Sequence, residues 1–324
     1  MSKEPFYVTT PIYYVNGEPH IGTAYTTVAT DATARFARMD GRDVFFLTGM
    51  DEHGEKVAEA AAAHGMTPQE WCDSQVTQFT ELWRDLDITN DDFIRTTQPR
   101  HVKGVQDFMQ KLHDNGYLYK GTYDGYYCTP CETQFTEGDL VDGKCPDCGR
   151  EVKVIHEENW FFKLSEFGDK LLAYYDEHPN FIRPQIRENE IRSFIEGGMH
   201  DLSVSRTAFD WGIPLPFDPE HVTYVWVDAL INYLTALGYG SDDSTLLERF
   251  WPANFHFVGK DIIRFHCVIW PAMLMAAGME CPRHVFAHGF LMAADGSKMS
   301  KSKGNALYLS LIHISEPTRL RRIS

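Results

Sequence analysis

Four cysteines stand in two tight pairs, Cys128-Thr129-Pro130-Cys131 and Cys145-Pro146-Asp147-Cys148, with thirteen residues between the pairs. No other feature limits the fold as sharply. Each two-residue gap lets two thiolates reach one ion, and the intervening stretch is long enough for a hairpin that returns the second pair to the first. The spacing points to a zinc knuckle over about residues 125–152, against disulfides or idle thiols. With four cysteine ligands, no coordination position stays open to water, so the ion would hold a fold and not catalyse. The other three of the seven cysteines, Cys72, Cys267 and Cys281, are scattered singly and read as core or free thiols. An odd total, with no apolar leader in "MSKEPFYVTT", points to a reducing, cytoplasmic setting.

Strands and helices alternate on both sides of the knuckle. "PFYVTT" (5–10) and "DVFFLTGMD" (43–51) read as buried strands, with a turn at Asn16-Gly17 and a helix over 21–39 between them. Thr67-Pro68-Gln69-Glu70 is a helix start with cap, proline and capping-box glutamate in place. A further helix is expected over 99–115. From 117 to about 225 the strands are short and the turns frequent, which reads as an insertion. Alternation then resumes with "FHFVGKD" (255–261) as strand plus loop, an apolar helix over 262–277 and a strand in "HVFAHGF" (284–290). The fold expected is α/β: a doubly wound parallel, Rossmann-like nucleotide-binding sheet split by an inserted zinc-bearing connective domain. Its parts would be 1–116, the insertion 117–225, and 226–308.

The chain carries a formal charge of −16, which argues against a general nucleic-acid coat but leaves room for local cationic sites. One such site is "DGSKMSKSKGN" (295–305), where three lysines sit on a serine-rich loop. Such a loop can wrap a polyphosphate, or can be a solvated lysine face. A second phosphate signal is "PHIGTAY" (19–25), where a loop turns into a helix whose first N–H groups are free for an anion. Gly22 permits close approach, and His20 can donate to a phosphate oxygen or simply cap the helix. Both segments fall at carboxyl ends of expected sheet strands, where open α/β sheets bind ligands.

With His20-Ile21-Gly22 near the start and Lys298-Met299-Ser300-Lys301-Ser302 near the end, the chain resembles class I aminoacyl-tRNA synthetases. Within that class it is similar to the bacterial methionyl-tRNA synthetase family in "TTPIYYVNGEPHIG", "FLTGMDEHGEK", "YVWVDALINYL", "FVGKDIIRFHCVIWPAML" and "GSKMSKSKGN", and in the four-cysteine knuckle. The resemblance covers about residues 5–308. It implies ATP-dependent activation of L-methionine to methionyl-adenylate, with Mg2+ accompanying ATP, and transfer to tRNA(Met). It implies phosphate contacts from His20, Gly22, Thr23, Lys298, Met299, Ser300, Lys301 and Ser302. Gly259, Lys260 and Asp261 would approach the ribose, and His288 and Gly289 the adenine. Asp51 would pair with the substrate ammonium. Ile12, Tyr14, Trp226, Ala229, Tyr233, Ile262, His266 and Trp270 would line the methionine pocket. Sulfur–aromatic contacts of about 0.3–1.5 kcal/mol each would favour the thioether there. His266 and Trp270, four apart on one expected helix, would share a face. Thr23 stands where the family signature usually ends in a second histidine, so one hydroxyl replaces a ring.

Leucyl, isoleucyl and valyl relatives share both signatures but carry a large editing domain, for which 117–225 is too short. A cysteinyl enzyme would need a zinc with an open ligand position. A zinc-dependent nucleic-acid-binding protein without catalysis would not need Asp51, the tryptophans or the lysine loop. The last stretch, "LSLIHISEPTR" (309–319), resembles a translated sequencing adapter. Residues 309–324 are therefore expected to be read-through after Tyr308. The chain reads as a fragment without the family's anticodon-binding region, and as weakly active or inactive in isolation.

Overall fold

The computed structural model describes residues 3–15, 19–146 and 148–292. The turn expected at Asn16-Gly17, the lysine loop Lys298–Ser302 and the tail 309–324 lie outside the described residues.

The apolar run Phe6-Tyr7-Val8 is buried on both faces, as a central strand of a parallel sheet must be. Its strand, Pro5–Thr9, pairs in parallel with Asp43–Asp51 on one side and with Phe255–Gly259 on the other. Across the sheet the order is Tyr13–Tyr14, Asp43–Asp51, Pro5–Thr9, Phe255–Gly259, Val285–His288 and Ile182–Arg183, and Asp92–Arg95 also pairs with Asp43–Asp51. The chain thus builds outward from Pro5–Thr9 in one direction with its first half and in the other with its second half. The strand order reverses between Pro5–Thr9 and Phe255–Gly259. In doubly wound sheets that reversal opens a crevice beyond the carboxyl ends of the strands.

Helix Ile21–Met39 follows the first strands and turns Ala24, Thr27, Ala34 and Ala37 inward. Helix Pro68–Asp85 starts on the expected capping box, with Thr67 and Glu70 bonding each other's backbone. Helix Pro99–Asp114 lies against helix Val225–Thr235, and His101 of the first bonds Thr235 of the second at 2.7 Å. Among the described residues, no helix is long and apolar enough to cross a membrane.

Residues 117–225 hold an antiparallel four-stranded sheet in the order Thr133–Phe135, Leu118–Cys128, Lys153–Phe162, Leu202–Ser203. The two long strands pair from Leu118 opposite Phe162 to Tyr127 opposite Lys153, and the cysteine pairs lie at the tip of this hairpin. The same stretch also contributes Ile182–Arg183 to the edge of the parallel sheet, beside Val285 and Phe286.

The helix expected over 262–277 is not a single regular one. A short 3-10 turn over Lys260–Ile262 leads into a π turn over Phe265–Ile269, and the α-helix runs only over Trp270–Ala276. Pro271 explains the break, because it has no N–H to give to the carbonyl four residues back. That carbonyl, on Cys267, accepts instead from the Tyr175 hydroxyl.

Candidate active site and metal centre

Asp51 ends its strand at the crevice and pairs in register with Tyr14. Its carboxylate is buried, and Oδ1 has no hydrogen-bond partner. Burial, and then the charges of Asp228, Glu132 and Glu52, push its pKa well above the usual carboxylate range. A buried carboxylate with an empty acceptor and acidic neighbours is a site prepared for a cation.

Behind it lies a buried network that the residue-by-residue reading of the sequence did not single out. Asp228 accepts from His53 Nδ1 and His101 Nε2, each at 2.6 Å, and all three side chains are buried. Burial pushes Asp228 up, but the two imidazoles outweigh it and hold the carboxyl below its ordinary value. Asp228 therefore fixes the helix Val225–Thr235, which carries Trp226, Ala229 and Tyr233.

The aromatic residues meet around Tyr233. Its hydroxyl lies 2.8 Å from His266 Nε2, and His266 Nδ1 lies 3.0 Å from the Ile262 carbonyl. A carbonyl only accepts, so Nδ1 carries the proton and Nε2 accepts from Tyr233. Burial lowers the His266 pKa to about 4, so the ring is neutral near pH 7. Despite the π turn, His266 and Trp270 both lie beside Tyr233, at ring separations of 5.8 and 6.1 Å. Trp270 is wholly buried and also packs against Phe108 and Trp251. Trp226 is half-buried, stacks on Phe265 at 4.1 Å and leaves its Nε1 without a partner. Ile12, Tyr14 and Ile262 are half-buried against the same core, and Ala229 is buried within its helix.

His20 is the N-cap of helix Ile21–Met39, and its Nδ1 accepts from the Gly22 N–H at 3.0 Å. A Cβ on Gly22 would stand 2.8 Å from the imidazole, so only glycine lets the ring fold over the helix start. Thr23 is buried in the first turn, and its carbonyl is 3.2 Å from the Tyr13 hydroxyl. One turn on, the Thr26 hydroxyl meets His288 Nε2 at 2.7 Å, tying this helix start to the last described strand. His288 pairs in register with Gly259, and Gly289 follows it. Lys260 places its ammonium over the Phe290 ring at 4.4 Å, and Asp261 is exposed. Of the sequence-assigned residues, His266 and Trp270 thus meet at Tyr233, Asp51 stands in register beside Tyr14, and the helix that His20 caps is joined to His288 through Thr26. Lys298, Met299, Ser300, Lys301 and Ser302 are outside the described residues.

At the hairpin tip, the sulfurs of Cys128, Cys131, Cys145 and Cys148 all lie within 4.8 Å of one another. Cys128 and Cys148 are 3.5 Å apart, and Cys131 and Cys145 are 3.9 Å apart. A tetrahedral ion with metal–sulfur bonds of about 2.3 Å needs sulfur–sulfur edges of about 3.8 Å. A disulfide needs about 2.05 Å, so the four thiols fit a metal and not two bridges. Burial pushes the Cys128 thiol up to about 12, a cost that a cation between the sulfurs would reverse.

A family model described as tRNA synthetases class I (M) matches residues 6–153 and 148–320. The chain belongs to the class I tRNA synthetases of this type. Similar curated relatives named methionine–tRNA ligase include one from Caldanaerobacter subterraneus subsp. tengcongensis, 56% identical over 305 residues, covering 94% of this chain and 48% of the relative. One from Thermotoga maritima is 56% identical over 306 residues, covering 93% of this chain and 48% of the relative. Among solved structures, Mycobacterium tuberculosis methionyl-tRNA synthetase in complex with methionyl-adenylate is similar with a TM-score of 0.90 and 49% identity, covering 94% of this chain and 60% of that one. The apo form of that protein is similar with a TM-score of 0.78 and 46% identity, covering 90% and 57%. This synthetase chain spans about half the length of the curated relatives it matches. The expected class I architecture, a parallel doubly wound sheet with four close cysteines in the connective region, is the one observed.

Proposed function

We propose that the chain is the catalytic half of a methionine–tRNA ligase, which joins L-methionine to ATP as methionyl-adenylate and passes the methionyl group to tRNA(Met). The observation that carries this reading is Asp51. Its buried carboxylate has an oxygen without a partner, stands in register beside Tyr14, and feels the charge of Asp228 on the helix bearing Trp226 and Tyr233. It is suited to an α-ammonium, with an apolar side chain directed toward the rings.

In this reading a methionine carboxylate oxygen attacks the α-phosphorus, and pyrophosphate leaves from the opposite side. The protein's task is positioning and neutralisation of spreading charge. Asp51 holds the ammonium. Trp226, Tyr233 and Trp270 meet the thioether, with Ile12, Tyr14, Ala229, Ile262 and His266 completing the pocket. His20, Gly22 and Thr23 offer a helix start to the phosphates. Gly259, Lys260 and Asp261 face the ribose, and His288 and Gly289 the adenine. Lys298 and Lys301, with Met299, Ser300 and Ser302, embrace the β- and γ-phosphates, and Mg2+ accompanies ATP. The ion we assign to Cys128, Cys131, Cys145 and Cys148 is Zn2+, which supplies structural support when bound. We infer residues 1–116 and 226–308 as the two halves of the catalytic domain, 117–225 as the connective domain, and the cytoplasm as the setting.

The test is isotope exchange between pyrophosphate and ATP, on this chain and on one extended to its relatives' full length. The expected result is exchange that requires L-methionine, strong in the extended chain and weak here. Exchange driven equally by leucine, isoleucine, valine or cysteine would overturn the assignment.

A further inference from the structure

Glu132 follows directly after the second thiol of the knuckle, yet its side chain leaves the knuckle and enters the pocket wall. It is buried, at 3% exposure, and its backbone takes a positive φ of 50°, a conformation rare outside glycine. Carboxylate oxygen Oε1 accepts from the Tyr14 hydroxyl at 2.7 Å and from the Lys56 backbone N–H at 3.0 Å. Tyr14 shares the same proton with the His53 carbonyl at 3.0 Å. The Glu132 carbonyl accepts from the Tyr224 hydroxyl, two residues before Trp226. Lys56 closes the junction, its ammonium reaching the Pro130 carbonyl inside the first cysteine pair at 2.9 Å and lying 5.2 Å from the Tyr14 ring centre. Gly54 makes room: its φ is +105°, and a Cβ there would stand 2.6 Å from Glu132 Oε1 and 2.8 Å from the Tyr14 hydroxyl.

One residue of the knuckle is therefore bonded to both sides of the amino-acid pocket, to Tyr14 on the sheet side and to Tyr224 at the start of the helix bearing Trp226. The cysteine on one side of Glu132 and its left-handed backbone fix where the carboxylate points. Among the described residues, the knuckle's buried apolar cluster is Cys128, Phe135 and Cys145, with Tyr126, Leu140 and Val152 partly buried against it, too few apolar groups to fix that backbone alone.

We propose that Glu132 is a positioning residue that transmits metal occupancy of the four-cysteine site to the pocket, so that loading the site sets Tyr14 for the amino acid. The pocket side of this inference rests on the functional reading above, but the bond to Lys56 does not. The Lys56 N–H lies in the first turn of helix Glu55–Ala63, where no carbonyl of that helix can take it. Its exchange with solvent therefore reports the Glu132 bond whatever the ligand.

The experiment measures amide exchange at Lys56 and the L-methionine dissociation constant by calorimetry, in zinc-loaded and chelator-stripped full-length chain. It uses the native sequence, Glu132→Ala, Glu132→Gln and Tyr14→Phe, with zinc content assayed in each. Stripping the native protein is expected to speed Lys56 exchange and weaken methionine binding, each by about tenfold or more, as loss of a buried charge-assisted hydrogen bond implies. Zinc-loaded Glu132→Ala should already show both changes with one zinc per chain bound, and should change little on stripping. Glu132→Gln keeps an acceptor oxygen at the same reach and should recover most of both. If Glu132→Ala fails to fold, Tyr14→Phe decides: it should weaken methionine binding while Lys56 exchange keeps its response to zinc. Unchanged Lys56 exchange in folded, stripped native protein overturns the proposal, as does a Glu132→Ala protein that still responds to stripping like the native one. Zinc-responsive Lys56 exchange without methionine binding would uphold the link and defeat the functional reading instead.

Discussion

The aromatic pocket and the cysteine knuckle stand side by side and are held by opposite means. Around Tyr233, the rings of His256, His266 and Trp270 are buried within a core that runs through the parallel sheet to Phe108 and Val258. Hydrogen bonds from distant parts of the chain cross it, as Thr9 meets His256 Nδ1 at 2.8 Å and Tyr233 meets His266 Nε2 at 2.8 Å, while His256 Nε2 and Trp270 Nε1 stay without a partner. In the knuckle, the buried apolar cluster among the described residues is Cys128, Phe135 and Cys145, and two of these are thiols. The first region keeps its shape by apolar burial with hydrogen bonds inside it. The second has little buried apolar surface, and its four close thiols are placed to take a metal, as those of small metal-bound modules are. The proposed site, if assembled on both, would inherit rigidity from one and a dependence on metal from the other.

The largest effect expected is on metal removal. Structural zinc contributes on the order of 10–16 kcal/mol in apparent terms at neutral pH. Chelation should therefore release the amides of residues 128–148 to exchange while those of Pro5–Thr9 and Phe255–Gly259 stay protected. Full protection of the stripped knuckle would erase the contrast.

Asp228→Ala tests the other side. It leaves His53 and His101 buried without their common acceptor, and should cost about 3–5 kcal/mol in denaturant unfolding. A loss below about 1 kcal/mol would mean that the network contributes little to the pocket's rigidity.

Acid should weaken the pocket through His266. Its folded pKa is lowered from 6.5 to about 4, so the unfolded chain binds the extra proton first. Stability is then intact above about pH 6.5 and is lost as pH falls toward 4, by about 3 kcal/mol in all. Melting curves of His266→Gln should lack that portion of the pH dependence. Asp51 has the opposite sign: its raised pKa means that its charge costs stability at neutral pH and costs less as pH falls. Asp51→Asn should accordingly raise the stability of the ligand-free protein by about 1 kcal/mol while abolishing the ammonium contact, as substitutions at binding groups often do. A less stable Asn variant would indicate that the carboxylate is needed by the fold itself.

What could be read from the sequence follows from the range of the interactions concerned. The buried strands, the Thr67–Glu70 capping box and the cysteine pairs are local signals, each within about ten residues, and they appear as read. The His53–Asp228–His101 network joins positions 175 and 127 residues apart, and no spacing rule announces it. Tyr14 and Glu132 are 118 residues apart, and their bond exists only because the hairpin returns to the sheet. Ile182–Arg183 is too short to carry a strand pattern, and joins the sheet because the edge of Val285–His288 is free to pair with it. The regular helix expected over 262–277 breaks at Pro271, a local signal that acts on the turn before it.

The central claim is that this cleft takes an ammonium on Asp51 and a thioether among rings. The most direct measurement is calorimetric titration of the zinc-loaded chain with L-methionine and with L-leucine. Methionine is expected to bind about tenfold or more tightly, from two or more sulfur–aromatic contacts, and Asp51→Ala is expected to remove the signal for both. Leucine binding as tightly as methionine, or methionine binding unchanged in Asp51→Ala, would contradict it.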